Sequence, residues 1–549
     1  MTDAPDEASS GRAGRPGRPG GPESEAAAAD PESAVAPIIV PGLDAQVHMM
    51  GAAPDTNVIG GGLVFRRPPD LPLSELLERI KARVESTLDL PHGMRCVAAP
   101  VPRGEPFHVL IDKQPVDLDA HIDVRGAGGS VSMDRAYELA LISMQAPLDL
   151  TRPLWGMTVI PEIDGDLAMI VMRVHHFVQD GVLGLAAAVS MLIDGTADSH
   201  LRQAPDLTVL PRPSDEQIRR AAEELLNRRY RAFKGPVEQA VEPVKPSKET
   251  IDSVASAVEG GSAARRPHAL GRSLAMGLRE TVEAVQKSRP DREKVLQEKL
   301  TKGLAEAREF TRVYFEEVAV QPGNLLRRVS DDRGIAVVQT PRSAVTQCQD
   351  VLDEHVSFND VAVTAMVLAL QQVLPDSTRD ENLLIDIPVS LSLQTGGKEQ
   401  FDNTSAMMVI ETPMSQSDPG PLLRSVHEQS RDRKSRDAQA MARLMRMASI
   451  LPIQEYEEAT ARLWSRGNFF MSNLPGPDFH FFVAGNEVTA AFGLGQLRGH
   501  SALRVIVATY GDLATWSLMY DRQVIDGRAL ANAIPTALER TAAVTTSDS

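Results

Sequence analysis

The chain has 549 residues, 42% of them hydrophobic, enough for a substantial core that a chain beyond about 250–300 residues divides between domains. Its formal charge of −17, with 57 Lys and Arg against 74 Asp and Glu, and its 4% aromatic content argue against nucleic acid as a partner. Cys96 and Cys348 offer no disulfide framework, the first residues lack a signal peptide's apolar core, and no run of about 18 apolar residues could span a bilayer, so the sequence reads as cytoplasmic.

In chain order, residues 1–36 are mostly Gly, Pro, Ala, Ser and acid and read as a disordered arm, because they cannot bury enough surface to offset the entropy of ordering. Val58 to Phe65 reads as a strand broken by Gly60-Gly61-Gly62. Leu76, Leu77, Ile80, Val84 and Leu88 follow at helical spacing, with Ser74 as the cap and Pro91 beyond the end. Leu167 to Val174 is an apolar run expected as a strand covered on both sides. At period two, Ile170, Met172, Val174 and His176 share one face and Val171, Arg173 and His175 the other. Val182 to Ile193 reads as a helix stopped by Gly195.

Ser214-Asp215-Glu216-Gln217 resembles a capping box opening a helix with Ile218, Ala222, Leu225, Leu226 and Tyr230 on one side. Arg219, Arg220, Arg228, Arg229 and Arg231 line the other, either a solvated charged face or a local contact for a membrane or lipid droplet. Residues 236–268 read as a connector before a charged helical segment around 276–318. Asn359 or Ser357 is expected to cap a core helix over Val361 to Leu374. The resulting partition is an arm (1–36), a first domain (37–200), a helical and flexible connector (201–320), a second domain (321–540) and a tail (541–549). Alternating strands and helices make the fold α/β.

His175-His176-Phe177-Val178-Gln179-Asp180-Gly181 carries the chemistry. Two adjacent imidazoles before an Asp-Gly turn admit three readings: a buried hydrogen-bonded histidine, a metal site, or a general base with an unperturbed pKa of about 6.5. Zinc-type spacing of histidines on one helix is absent and the cysteines lie far apart, which disfavours a metal. No phosphate loop or nucleophile elbow is present, and Gly493-Leu494-Gly495-Gln496 lacks the third glycine of a dinucleotide fingerprint.

H-H-x-x-x-D-G resembles the active-site motif of the wax ester synthase/diacylglycerol acyltransferase family, within the wider chloramphenicol acetyltransferase and condensation-domain superfamily. Gly42-Leu43-Asp44-Ala45, Val116 to His121 and Pro147-Leu148-Asp149-Leu150-Thr151-Arg152-Pro153-Leu154-Trp155 are similar to its blocks ahead of the motif. Phe358-Asn359-Asp360-Val361, Pro388-Val389-Ser390-Leu391, Asp402 to Met407 and Ser472-Asn473-Leu474-Pro475-Gly476-Pro477 are similar to later ones, in the same order. Ser392 stands where the family often has Arg, and Phe177 where a smaller residue is common.

The resemblance implies two chloramphenicol-acetyltransferase-like domains with an active-site channel between them. It further implies acyl-CoA as a substrate, no cofactor and no metal, and a hydroxyl-bearing lipid acceptor: diacylglycerol giving triacylglycerol, or a long-chain alcohol giving a wax ester. His176 would be the general base and His175 its support, with Asp180 orienting the loop and Gly181 leaving room in the channel. Asn359, Asp360 and Asn473 are candidates for substrate binding, although Asn473 reads more simply as a turn residue of a Pro-Gly loop. A carrier-protein-bound acyl donor, or an inactive lipid-binding homologue, are the alternative readings.

Overall fold

Apolar residues at period two build two six-stranded sheets in the computed structural model, which describes residues 38–40, 58–88, 94–98, 108–111, 115–149, 151–175, 191–194, 326, 330–390, 405–448, 467–476, 480–497 and 501–544. The first half contributes β1 (Ile38–Val40), β2 (Val58–Arg66), α1 (Leu73–Thr87), β3 (Val97–Ala98), β4 (His108–Ile111), α2 (Leu118–His121), β5 (Ile122–Val124), α3 (Met133–Gln145), β6 (Trp155–Ile163) and β7 (Leu167–His175). The second half contributes β8 (Arg333–Pro341), α4 (Phe358–Val373), β9 (Asn382–Ser390), β10 (Ser405–Pro413) and α5 (Pro419–Ala448). There follow β11 (Phe469–Leu474), β12 (Phe482–Val483), β13 (Asn486–Gly495), β14 (Leu503–Tyr510), β15 (Leu513–Asp521) and α6 (Gly527–Ala542).

The sheets run β12-β13-β2-β7-β6-β5 and β10-β9-β11-β14-β15-β8, beside a small β1-β4-β3 sheet. Strands β12 and β13 therefore leave the second half of the sequence to complete the first sheet, with Phe492 opposite Gly62 and Gly495 opposite Ile59. A division at residue 321 does not convey this exchange.

Three cores follow from strand alternation. Ile170, Met172 and Val174 of β7 pack with Leu76, Ile80 and Val84 of α1 on the outer face of the first sheet. Leu503, Val505 and Val507 of β14 pack with α4 and α6 on the outer face of the second. Between the sheets lies a seam core, where Met169 and Val171 of β7 meet Ile506 and Ala508 of β14 around Ala136, Tyr137, Ala140 and Met144 of α3.

Two local expectations are corrected. Strand β2 is unbroken, since Gly60, Gly61 and Gly62 pair in register with Arg173, Met172 and Val171. The glycines supply clearance instead: a Cβ on Gly60 would strike Met172 O and Met144 Sδ, and one on Gly62 the Phe492 ring. Ser74 lies inside α1 and does not cap it, because Pro72 already holds the extended backbone (φ −62°, ψ 143°) from which the first turn starts. Ser357, by contrast, caps α4 as expected, in a capping box with Asp360.

The arm at 1–36, the helix opening near Asp215, the connector at 236–268 and the segment around 276–318 lie outside the described residues. Of the helix expected over Val182 to Ile193, Met191, Leu192 and Ile193 are described: the first two are helical, and Ile193 instead forms an antiparallel bridge with Val483. Among the described residues no helix is long and apolar enough to cross a membrane.

Candidate active site

Strand β7 carries the motif to its place. Its residues alternate between the outer core and the seam as the sequence predicts, and only Leu167 and Arg173 are less than fully buried. His175 is its last residue and wholly buried. It pairs with Val58, and its N–H donates to Leu154 O at 2.8 Å. Alternation gives it the seam face of Met169 and Val171. His176, Phe177, Asp180 and Gly181 lie outside the described residues, as does Ser392.

Two upstream motif blocks meet beside this strand end. Asp149 Oδ1 accepts from the Thr151 N–H at 2.9 Å and its hydroxyl at 2.6 Å, making the turn that leads into β6. These bonds, with Arg152 at 3.3 Å, hold the Asp149 carboxyl below the usual carboxylate range. Trp155 then opens β6 opposite Val174, and its indole N–H donates to Met94 O at 2.8 Å. His121 stacks on that indole, centroids 4.4 Å apart at 29°, and its Nδ1–H donates to Trp155 O at 2.9 Å. His121 and Trp155 thus join the two blocks, and Leu154, the residue before Trp155, is the one that accepts the His175 N–H.

Burial pushes the His121 pKa below the ordinary imidazole value. The Trp155 carbonyl pulls the other way, Arg152 lowers it further, and Asp117 and Asp149 raise it. Between the lowered folded pKa and the unfolded value of about 6.5, the unfolded chain binds more protons, so stability falls as pH drops through that window. We expect the melting temperature of the protein to decline from about pH 7.5 to about pH 5 more steeply than that of His121→Phe, which keeps the stack but cannot titrate. Parallel pH curves for the two proteins would refute the assignment.

The second-half candidates separate. Asp360 is buried, and its Oδ2 accepts from Ser357 N–H at 2.9 Å and lies 2.9 Å from His427 Nδ1. His427 Nε2 lies 3.6 Å from Glu354. The carboxylate thus ties α4 to α5 in the outer layer of the second sheet, while Asn359 beside it is partly buried. Nothing in the sequence marks His427, which has no motif around it and stands on a charged helix. Asn473 is no turn residue: it lies within β11, paired in parallel with Val507, and the strand runs on to Leu474 before Pro475 follows. Its Oδ1 is buried and has no hydrogen-bond partner among the described residues. Gly493 and Gly495 are strand residues of β13, not a phosphate loop.

The wax ester synthase/diacylglycerol acyltransferase catalytic domain matches residues 41–362 and the WS/DGAT C-terminal domain residues 401–541. A Mycobacterium tuberculosis protein bearing the name diacylglycerol O-acyltransferase is 22% identical over 463 residues, covering 82% of this chain and 84% of its own. A second from that organism is 24% identical over 425 residues, covering 74% and 72%. The wax ester synthase/diacylglycerol acyltransferase from Marinobacter aquaeolei VT8 shares the fold with a TM-score of 0.50 at 13% identity, over 88% of this chain and 93% of its own. A trichothecene 15-O-acetyltransferase from Fusarium sporotrichioides does so with a TM-score of 0.52 at 10% identity, over 91% and 93%. With the family's two domains matched in order along most of its length, this two-sheet α/β chain belongs to the wax ester synthase/diacylglycerol acyltransferase family of acyltransferases.

Proposed function

We propose that this acyltransferase moves a fatty acyl group from acyl-CoA to the hydroxyl of a lipid acceptor, diacylglycerol or a long-chain alcohol, with His176 as the general base. The observation that supports this reading best is the placement of His175. A wholly buried imidazole closes a strand wedged between two cores, which makes the end of that strand a rigid support.

In the proposed step, the imidazole takes the acceptor's hydroxyl proton as the oxygen attacks the thioester carbonyl. The tetrahedral intermediate collapses to the new ester, and the imidazolium returns its proton to the departing CoA thiolate. No acyl-enzyme forms. His175 supports the base, Asp180 orients the loop and Gly181 leaves space for the substrate. The test is CoA release by the purified chain from palmitoyl-CoA with dioleoylglycerol or with hexadecanol. Release that depends on neither acceptor would overturn the reading.

Peripheral lipid contact through the arginine face of the segment opening at Asp215 belongs to the same proposal. Replacing Arg219, Arg220, Arg228, Arg229 and Arg231 with Gln should weaken flotation with anionic vesicles, most at low salt, while activity on a short soluble acceptor persists. Unchanged flotation at low salt would rule that face out.

A further inference from the structure

Arg173 is the charged residue in the apolar run of β7, two positions before His175 and on the same face. Its guanidinium reaches the C-terminal end of α3, where Nη1 donates to Ser143 O at 2.9 Å and also to Ala146 O. Gly156, opposite it on β6, makes the room, since a Cβ there would sit 3.0 Å from Arg173 Nε. Gln496, directly after β13, donates from Nε2 to Met144 O at 2.9 Å. The carbonyls of Ser143, Met144 and Ala146 at the end of α3, the first of which also accepts from the Ala146 N–H at 3.2 Å, are thus held by a side chain of β7 and one from the residue after β13.

The surroundings show that this placement is specific. Ser143 Oγ lies 2.6 Å from Thr158 Oγ1, which donates to Asp123, itself paired with Arg125 at 2.9 Å. Burial lowers the Arg173 pKa, Asp123 raises it and Arg125 lowers it. A cation at the negative end of a helix dipole is favourable, and both bonds leave one nitrogen, Nη1, whose two N–H groups are held in the guanidinium plane. Arg173 Nε remains buried without a hydrogen-bond partner among the described residues, a desolvation cost that the carbonyl bonds offset.

We propose that Arg173, assisted by Gln496, is a positioning residue for acyl transfer: it locks the end of β7 onto α3 and so fixes the direction in which the chain delivers His175 and His176. The inference rests on the histidine-base reading above. Gln496 comes from the second half of the sequence, so the clamp also makes the aim of the histidines depend on the strand exchange that joins the halves.

The test compares full-length wild type, Arg173→Met and Arg173→Lys by steady-state kinetics with palmitoyl-CoA and by amide hydrogen exchange. Arg173→Met should lower kcat about 10- to 100-fold, the scale of a misaimed catalytic group, with KM for palmitoyl-CoA changed less than about threefold. Exchange should rise in peptides covering 170–180 but not in β14 and β15. Arg173→Lys should fall between wild type and Arg173→Met, because the charge stays and the fixed planar donors of the guanidinium are lost. A kcat within about threefold of wild type, or protection lost across β14 and β15 as well, would reduce the clamp to ordinary stability and overturn the proposal. If Arg173→Met does not fold, Gln496→Met decides: a lower kcat at unchanged KM supports the clamp, and wild-type kinetics refute it. Wild-type protein that releases no CoA refutes the reading of the reaction, and the exchange result then decides this one alone.

Discussion

We expect His176→Ala to lower CoA release by about 10²–10⁴-fold, the range a positioned general base contributes, while thermal melting stays close to that of wild type. The imidazole is required in the proposed step only for proton transfer, so removing it takes away chemistry and little packing. His175→Ala is the informative contrast. That ring is wholly buried on the seam face, so its removal leaves a cavity, and large-to-small core changes cost on the order of 2–5 kcal/mol. Its loss of activity should therefore come with a lower melting temperature. If His176→Ala keeps more than about a tenth of wild-type turnover, the base has been assigned to the wrong residue. A large loss of turnover in His175→Ala at unchanged stability would move the role to that ring.

Much of the site's framework was legible because it obeys local rules. The apolar run before the motif could be divided into two faces by period alone, and Met169 and Val171 do part from Ile170, Met172 and Val174 as alternation requires. The Ser357 cap was equally local, since short polar side chains before an apolar helix satisfy its first N–H groups.

What escaped the sequence depends on distant partners. The glycines of β2 looked like a break because glycine weakens a strand, and only Phe492 and Met144, far along the chain or on another layer, explain why they stay in one. The entry of β13 into the first sheet has no local signal at all, because an alternating strand carries no mark of which sheet it will join. His121 and Trp155 stand in separate motif blocks, and nothing in their spacing predicts that they stack. Arg173 did leave a trace, a lone charge in an otherwise apolar run, and a charge there needs a buried acceptor. Which acceptor it finds, the end of α3, is a tertiary fact.

Gly476→Ala should be among the most damaging single-methyl changes in the protein. Gly476 follows β11 in the Ser472 to Pro477 block, and its N–H donates to Thr509 Oγ1 at 3.0 Å. A Cβ at this position would fall well inside 3.0 Å of Thr509 O, a distance real Cβ atoms essentially never show. Rotamer changes offer no escape, because the obstacle is backbone. Thr509 belongs to β14, which is hydrogen-bonded to β11 on one side and β15 on the other, so yielding means parting a central strand pair. Leu474 and Ala508, paired across β11 and β14, both enter the seam core, and the disturbance would reach the packing around α3. Overpacking of this kind typically costs about 1–3 kcal/mol and more where the backbone must move. We therefore expect a clear drop in melting temperature, with acyl transfer falling in parallel. Gly128→Ala is the matched control, since a Cβ there meets nothing within 4 Å, and a surface change of that kind stays within about 0.5 kcal/mol. Equal melting of the two variants would show that the loop after β11 yields to a methyl group and does not hold β14 in place.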